Sequence, residues 1–181
     1  MIPKTRLQVF NKKADSGDFV AYWMIGARRA EWSHSLEHAV DMANEKNLPL
    51  VIIEPVFIGQ KWANDRFHTF AIQGILDNIE SFKAYPVKYI PYIETKAGEA
   101  DRLLDKFIER AAMIVTDDVS VYYPRTIVEK LTEQNNTRVD VVDGNGFTAL
   151  RAVPKASVKL EKYIARKLQI QISLYYHILF H

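Results

Sequence analysis

His34, Glu37 and His38 read H-x-x-E-H, the spacing with which one turn of helix can offer two imidazoles and a carboxylate to zinc. Such a centre also needs a third ligand and a dry, shaped cavity. At about 100° per residue, Leu36, Ala39, Val40 and Ala43 form one apolar stripe. His34 and His38 then fall almost opposite it, toward solvent. The spacing predicts an exposed helix face and no metal site.

Other chemistry-bearing residues lie where apolar runs end. Arg28 and Arg29, followed by Trp32, come directly after Phe19-Val20-Ala21-Tyr22-Trp23-Met24-Ile25. Asp117 and Asp118 follow Ala112–Thr116, and are either acid–base or metal-binding groups or a carboxylate pair capping the next helix. Asp143-Gly144-Asn145-Gly146 opens like a calcium loop, but Phe147 and Thr148 stand where that loop needs an oxygen ligand and a glycine. What remains is a glycine-assisted turn. Neither G-x-G-x-x-G nor G-x-x-x-x-G-K-[ST] occurs, so the common phosphate cradles are unsupported, and no G-x-S-x-G elbow is present. With no cysteine, thiolate ligands, disulfides and a cysteine nucleophile are excluded.

The elements that must position these residues follow from their patterning. Phe19–Ile25, Leu48–Ile53 (closed by Glu54-Pro55), Val87–Ile93, Ala112–Thr116 and Val139–Val142 read as five strands. The first is apolar throughout, as a strand buried on both faces is. Pro91 argues for an edge position for Val87–Ile93. Between them lie four helical segments. Ser33 and Asn64 are placed as N-caps, and Pro124 at the start of the last helix. Phe67, Phe70, Ala71, Ile75, Ile79 and Phe82 are expected on the inner face of the second helix. Alternating strands and helices predict an α/β fold with a five-stranded, doubly wound parallel sheet and helices on both faces. In such sheets ligands bind at the carboxyl ends of the strands. Trp23 and Met24 suit either sheet core or pocket wall.

The 181 residues divide into a polar lead-in (1–17), one α/β domain (18–152) and a C-terminal helical tail (153–181). Net charge is +2, too even for a dedicated nucleic-acid binder. Residues 151–181 hold six lysines and arginines against Glu161 alone, so they carry +5 and the first 150 residues −3. From Leu168 to Phe180 the tail is apolar nearly all round and needs a packing partner. Charge interrupts every apolar run before membrane length, and no signal-peptide core follows Met1. A cytoplasmic protein is expected.

Taken in order, several stretches resemble the N-terminal α/β domain of the DNA photolyase/cryptochrome family, most closely its class II branch. They are Tyr22-Trp23-Met24 with Arg28-Arg29, Trp32 and Ser35-Leu36; Asn47-Leu48-Pro49-Leu50 with Pro55-Val56-Phe57; Arg66-Phe67-His68-Thr69-Phe70 with Gly74-Ile75; Thr116-Asp117-Asp118; and Val141-Val142-Asp143-Gly144-Asn145. The resemblance covers about Phe19 to Arg151 and stops near Lys155.

The resemblance implies a domain that holds an antenna pigment (a deazaflavin, a folate or a flavin) and passes excitation energy to FAD in a separate helical domain. That helical domain also grips the lesion. Nothing matching it stands in these residues, so FAD is not expected here, DNA is met only indirectly, and dimer repair, the family's lyase activity, is not expected of this chain alone. Met24, Arg28, Glu54, Val56, Asp117 and Asn145, at the strand ends, are the expected lining of the pigment cleft. Arg28 and Arg29 are either a surface pair or partners of an anionic pigment tail. Partners implied are a helical FAD-binding domain or a second copy met through the tail. The competing expectation is a nucleotide-binding or partner-docking module that shares only the sheet.

Overall fold

The computed structural model describes residues 2–11, 16–60, 63–119, 122–133, 137–149 and 152. They form strands β1 (Leu7–Phe10), β2 (Phe19–Trp23), β3 (Leu50–Val56), β4 (Lys88–Ile93), β5 (Ala111–Asp117) and β6 (Arg138–Val142). The helices are α1 (His34–Lys46), α2 (Asp65–Phe82), α3 (Glu99–Arg110) and α4 (Tyr122–Glu133). The sheet runs β1-β6-β5-β2-β3-β4, and β2 to β6 are parallel. No helix of the described residues is long and apolar enough to cross a membrane.

The fold is the expected α/β architecture, with a sixth strand. β1 lies inside the stretch expected to be a polar lead-in and pairs antiparallel with β6, Leu7 opposite Val142. Four residues are too short to show a period, and the partner strand is far away in sequence. β4 is the opposite edge, where Pro91 is tolerated. β3 runs past Ile53 to Val56; its pairing with β2 ends at Ile53, so Pro55 has no β2 partner to serve. Ser33 and Asn64 cap α1 and α2 by accepting from Leu36 N and Phe67 N. Pro124 falls within the first turn of α4.

The two sides of β2 enter two cores. Val20, Tyr22 and Met24 pack with Ala39 and Ala43 of α1 and Phe82 of α2. Ala21, Trp23 and Ile25 pack with Leu104 of α3 and with Ile127 and Leu131 of α4. α1 and α2 therefore cover one face, α3 and α4 the other, and the switch in winding direction falls between β2 and β5.

Two helix faces differ from expectation. His38 is buried rather than solvent-facing, with Nε2 2.7 Å from Asp140 Oδ2. The buried arc of α1 is Ser35, His38, Ala39 and Ala43, and Val40 is exposed. The helix is rolled by about a fifth of a turn from the position its apolar stripe implies. A buried carboxylate on β6 supplies a polar partner that hydropathy does not see. On α2, Ile75, Asn78 and Phe82 are buried, whereas Phe67 and Phe70 are 44% and 77% exposed. The buried arc continues toward the start of α2 through the half-buried His68 and Ala71, and Phe70 lies about a third of a turn outside it. The basic and apolar tail, 153–181, lies outside the described residues.

Candidate functional site

Two places at this domain's surface can be weighed as a site: the carboxyl edge of the sheet, and a groove beside α1.

At the carboxyl edge, the chain's own carboxylates occupy the main-chain donors. Asp117 Oδ2 accepts from Ile25 N (3.0 Å) and Gly26 N (2.7 Å), and Oδ1 accepts from the Tyr22 hydroxyl (3.0 Å). This is the switch point between β2 and β5, where an open α/β sheet ordinarily receives its ligand. A Cβ on Gly26 would lie 2.9 Å from Asp117 Cβ, so the glycine is what lets the carboxylate seat here. Burial, reinforced by the Asp117 charge, pushes the Tyr22 hydroxyl well above its ordinary pKa and keeps it a donor.

Glu54, fully buried on β3, is the second such carboxylate. Its Oε2 accepts from Asn78 Nδ2 of α2 (2.8 Å) and from the Tyr89 hydroxyl of β4 (2.5 Å). Arg28 Nη1 stands 3.6 Å from its Oε1, and Arg28 Nη2 donates to Pro55 O at 2.7 Å. Burial lowers the Arg28 pKa, and the charges of Glu54 and Asp117 work against that fall. Burial and the bond to Glu54 raise the Tyr89 hydroxyl strongly. A third carboxylate, the buried Glu94, was not among the expected residues. It accepts from Ile58 N, Gly98 N and Ala100 N and so seats the start of α3. Its signal in the sequence is an acid closing a strand four residues ahead of a glycine.

Of the six expected lining residues, the structure brings Arg28 and Glu54 together and places Asp117 beside Gly26. Met24 and Val56 are core residues with no exposed surface to offer. Asn145 is exposed, donates from Nδ2 to Asp118 O (3.0 Å), and its own N–H bonds to Asp143 Oδ1. Arg29 donates to Trp32 O and is exposed. At this edge Asp117 and Glu54 are satisfied by the chain's own donors, whereas Arg28 Nη1 is buried without a hydrogen-bond partner.

Beside α1 the surface does open. A groove of about 830 Å³ runs between α1 and the turn joining α2 to β4. Leu36, Ala43, Leu50, Phe82 and Val87 line it, with Trp32 and Tyr85 among its aromatic residues. Its polar groups include Ser33, His34, Glu37, Asp41 and Asn44. The volume lies in the range of small-molecule sites. Among the described residues no group of three or more His, Asp or Glu is placed to hold a metal.

No family model matches the chain. Over 101 residues, 56% of this chain, the sequence is 29% identical to a deoxyribodipyrimidine photo-lyase of Methanothermobacter thermautotrophicus. The match spans only 22% of that protein's length. Among solved structures the chain is similar to a universal stress protein from Archaeoglobus fulgidus, at 13% identity and TM-score 0.48, covering 69% of this chain and 98% of that one. It is also similar to a universal stress protein solved in complex with cAMP, at 16% identity and TM-score 0.44, covering 72% of this chain and all of the other.

The edge and the groove differ in what they could hold. A phosphate or carboxylate entering at the switch point would have to displace Asp117 from two main-chain donors and a hydroxyl. A flat apolar ring system entering the groove would meet Leu36, Val40, Phe82 and Val87 rather than a carboxylate seated on main-chain donors.

Proposed function

We propose that this chain is a photolyase-like α/β domain that holds a light-harvesting chromophore of the deazaflavin, folate or flavin class. The observation that carries this reading is the similarity to a deoxyribodipyrimidine photo-lyase over 101 residues. A groove of ligand size beside α1 supports it. On this reading the pigment passes excitation energy to FAD held in a helical domain. Repair of pyrimidine dimers belongs to that domain rather than to these residues.

The second reading, a nucleotide-binding or partner-docking module, has a physical obstacle in its nucleotide form. Asp117 and Glu94 already engage the main-chain N–H groups of Ile25, Gly26, Ile58, Gly98 and Ala100. Those are the donors that a phosphate would use at this edge.

The test is the absorption spectrum of the purified protein before and after addition of riboflavin, a deazaflavin and a folate, each followed by gel filtration. An absorption band beyond the tryptophan region that co-elutes with the protein is the expected result. A protein that elutes colourless after all three would overturn the reading.

A further inference from the structure

We propose that the groove beside α1 is the docking site of the chain's own C-terminal segment, residues 168–180. This goes beyond the chromophore reading and does not rest on it; a pigment taken up by the groove would do so by displacing the segment. Three observations carry it.

The first is the shape of the groove. Ala30 and Trp32, ahead of α1, line one end of it, and Leu48 and Pro49, behind α1, line the other. The opening therefore runs the length of a 13-residue helix, about 20 Å. Ala43, Leu50 and Phe82, all buried, lie deepest in it. Leu36, Leu48 and Val87 pack on that core and keep part of their surface open, and Val40 and Tyr85 are exposed. Glu37 has a neighbour of its own in His34, 3.8 Å away, so the groove offers apolar surface rather than a free charge. A long apolar strip beside a helix is what the apolar face of a chain segment covers.

The second is the segment. Residues 168–180 are 13 in number; nine are Leu, Ile, Tyr or Phe, and none is Asp, Glu, Lys or Arg. Wound as a helix they extend about 20 Å, the length of the groove. That much apolar surface is driven out of water onto whatever matching surface it can reach.

The third is where the segment starts. Ala152, whose N–H bonds to Ala149 O at 3.0 Å, follows the loop after β6. In that loop a Cβ on Gly144 would lie 3.9 Å from Ser35 Oγ, in the first turn of α1. The described chain thus ends near the end of α1 where Ala30 and Trp32 open the groove. The 15 residues from 153 to 167 can span up to about 50 Å, more than twice the groove's length. They carry five lysines and arginines, and the groove's lining includes none among the described residues, so no like charge opposes their approach.

The test exploits the absence of cysteine. Asn44→Cys, in the groove's lining, and Ser173→Cys, a polar position of the segment, are introduced together into the full chain and labelled with nitroxides. Pulsed electron paramagnetic resonance then measures the distance between the labels. The expected result is a narrow distribution centred below about 30 Å that dilution into unlabelled protein leaves unchanged. Val40→Asp or Tyr85→Ser, each at an exposed position of the groove, should broaden it, and Phe70→Asp, outside the lining, should not. Circular dichroism checks that each variant keeps the fold. A broad distribution before any of these three substitutions overturns the proposal. So does a narrow one that neither groove substitution disturbs, or that Phe70→Asp disturbs, since the segment then lies elsewhere. A short distance that vanishes on dilution gives the groove to the segment of a second copy and overturns docking within one chain. None of these results bears on uptake of a pigment, which the absorption test decides separately.

Discussion

His38 Nε2 and Asp140 Oδ2 lie 2.7 Å apart beneath α1, and this one contact sets which side of the helix meets the sheet. Asp140 is fully buried and also accepts from Arg138 Nε (3.0 Å) and Nη2 (2.9 Å). An ionised carboxylate only accepts, so the His38 Nε2 proton points to it. Burial alone would raise the Asp140 pKa. The bonds from His38 and Arg138 outweigh burial and hold it below the usual range.

That depression makes a pH prediction. A carboxyl whose pKa is lower in the folded than in the unfolded chain contributes stability above the unfolded value, about 3.9, and loses it as pH falls through the folded value. In that window the unfolded chain binds the extra proton, so stability rises with pH. Urea denaturation followed from pH 5 down to about pH 2 should show a steeper acid loss in the native sequence than in Asp140→Asn. At pH 7 the variant should be less stable by about 3 kcal/mol, since His38 and Arg138 lose a charged partner. Parallel acid limbs in the two proteins would refute the assignment.

Gly26 and Asp117 make a second prediction. A methyl group on Gly26 would sit 2.9 Å from Asp117 Cβ and 3.1 Å from its Cγ. Asp117 cannot swing away without breaking its bonds to Ile25 N, Gly26 N and Tyr22. Gly26→Ala should therefore cost about 1–3 kcal/mol in thermal or urea unfolding. Tyr22→Phe, which removes one donor and leaves the main-chain pair, should cost about 1 kcal/mol. An unchanged midpoint for Gly26→Ala would mean that the carboxylate does not occupy the switch point.

These contacts also show how much of the molecule could be read from its residues. The buried strands, their order of appearance and the caps at Ser33 and Asn64 follow from local patterns, because apolar runs and N-cap oxygens act on their own neighbours. β1 was hidden, since its four residues gain strand character only by pairing with β6. His38 was misplaced because the residue that buries it is Asp140, 102 positions away. Arg28, Asp117 and Asn145 follow or close strands, as their positions after apolar runs imply. Their partners were not legible: Asp117 and Glu54 are acids satisfied by the chain itself, and only the fold shows this. The groove had no sequence signature, because it arises from the roll of α1.

Arg6 makes a third prediction. Its buried guanidinium donates to four carbonyls, Asp143 (2.9 Å), Asn145 (3.3 Å), Gly146 (2.9 Å) and Phe147 (2.8 Å), and so straps the turn that leads into β1 to the loop after β6. A lysine has the charge but not the planar fork. Arg6→Lys should loosen residues 143–147, read as faster amide exchange there, with a stability loss of about 2 kcal/mol. Exchange in that loop unchanged by the substitution would show that the strap is not what orders it.

The faces of α2 make the last prediction, and it separates hydropathy from burial. Phe70 and Ile75 are both apolar and both were expected inward, yet Phe70 is 77% exposed and Ile75 is buried. Ile75→Ala opens a cavity in the layer between α2 and the sheet, and should cost about 2–5 kcal/mol. Phe70→Ala removes a ring that water already reaches, and should change stability by no more than about 0.5 kcal/mol. Helix propensity works slightly in the variant's favour, since alanine is the better helix former. Thermal unfolding of the two variants decides the matter. A large loss for Phe70→Ala would mean that a surface of this protein covers the start of α2. Similar small losses for both would mean that Ile75 is not buried beneath α2.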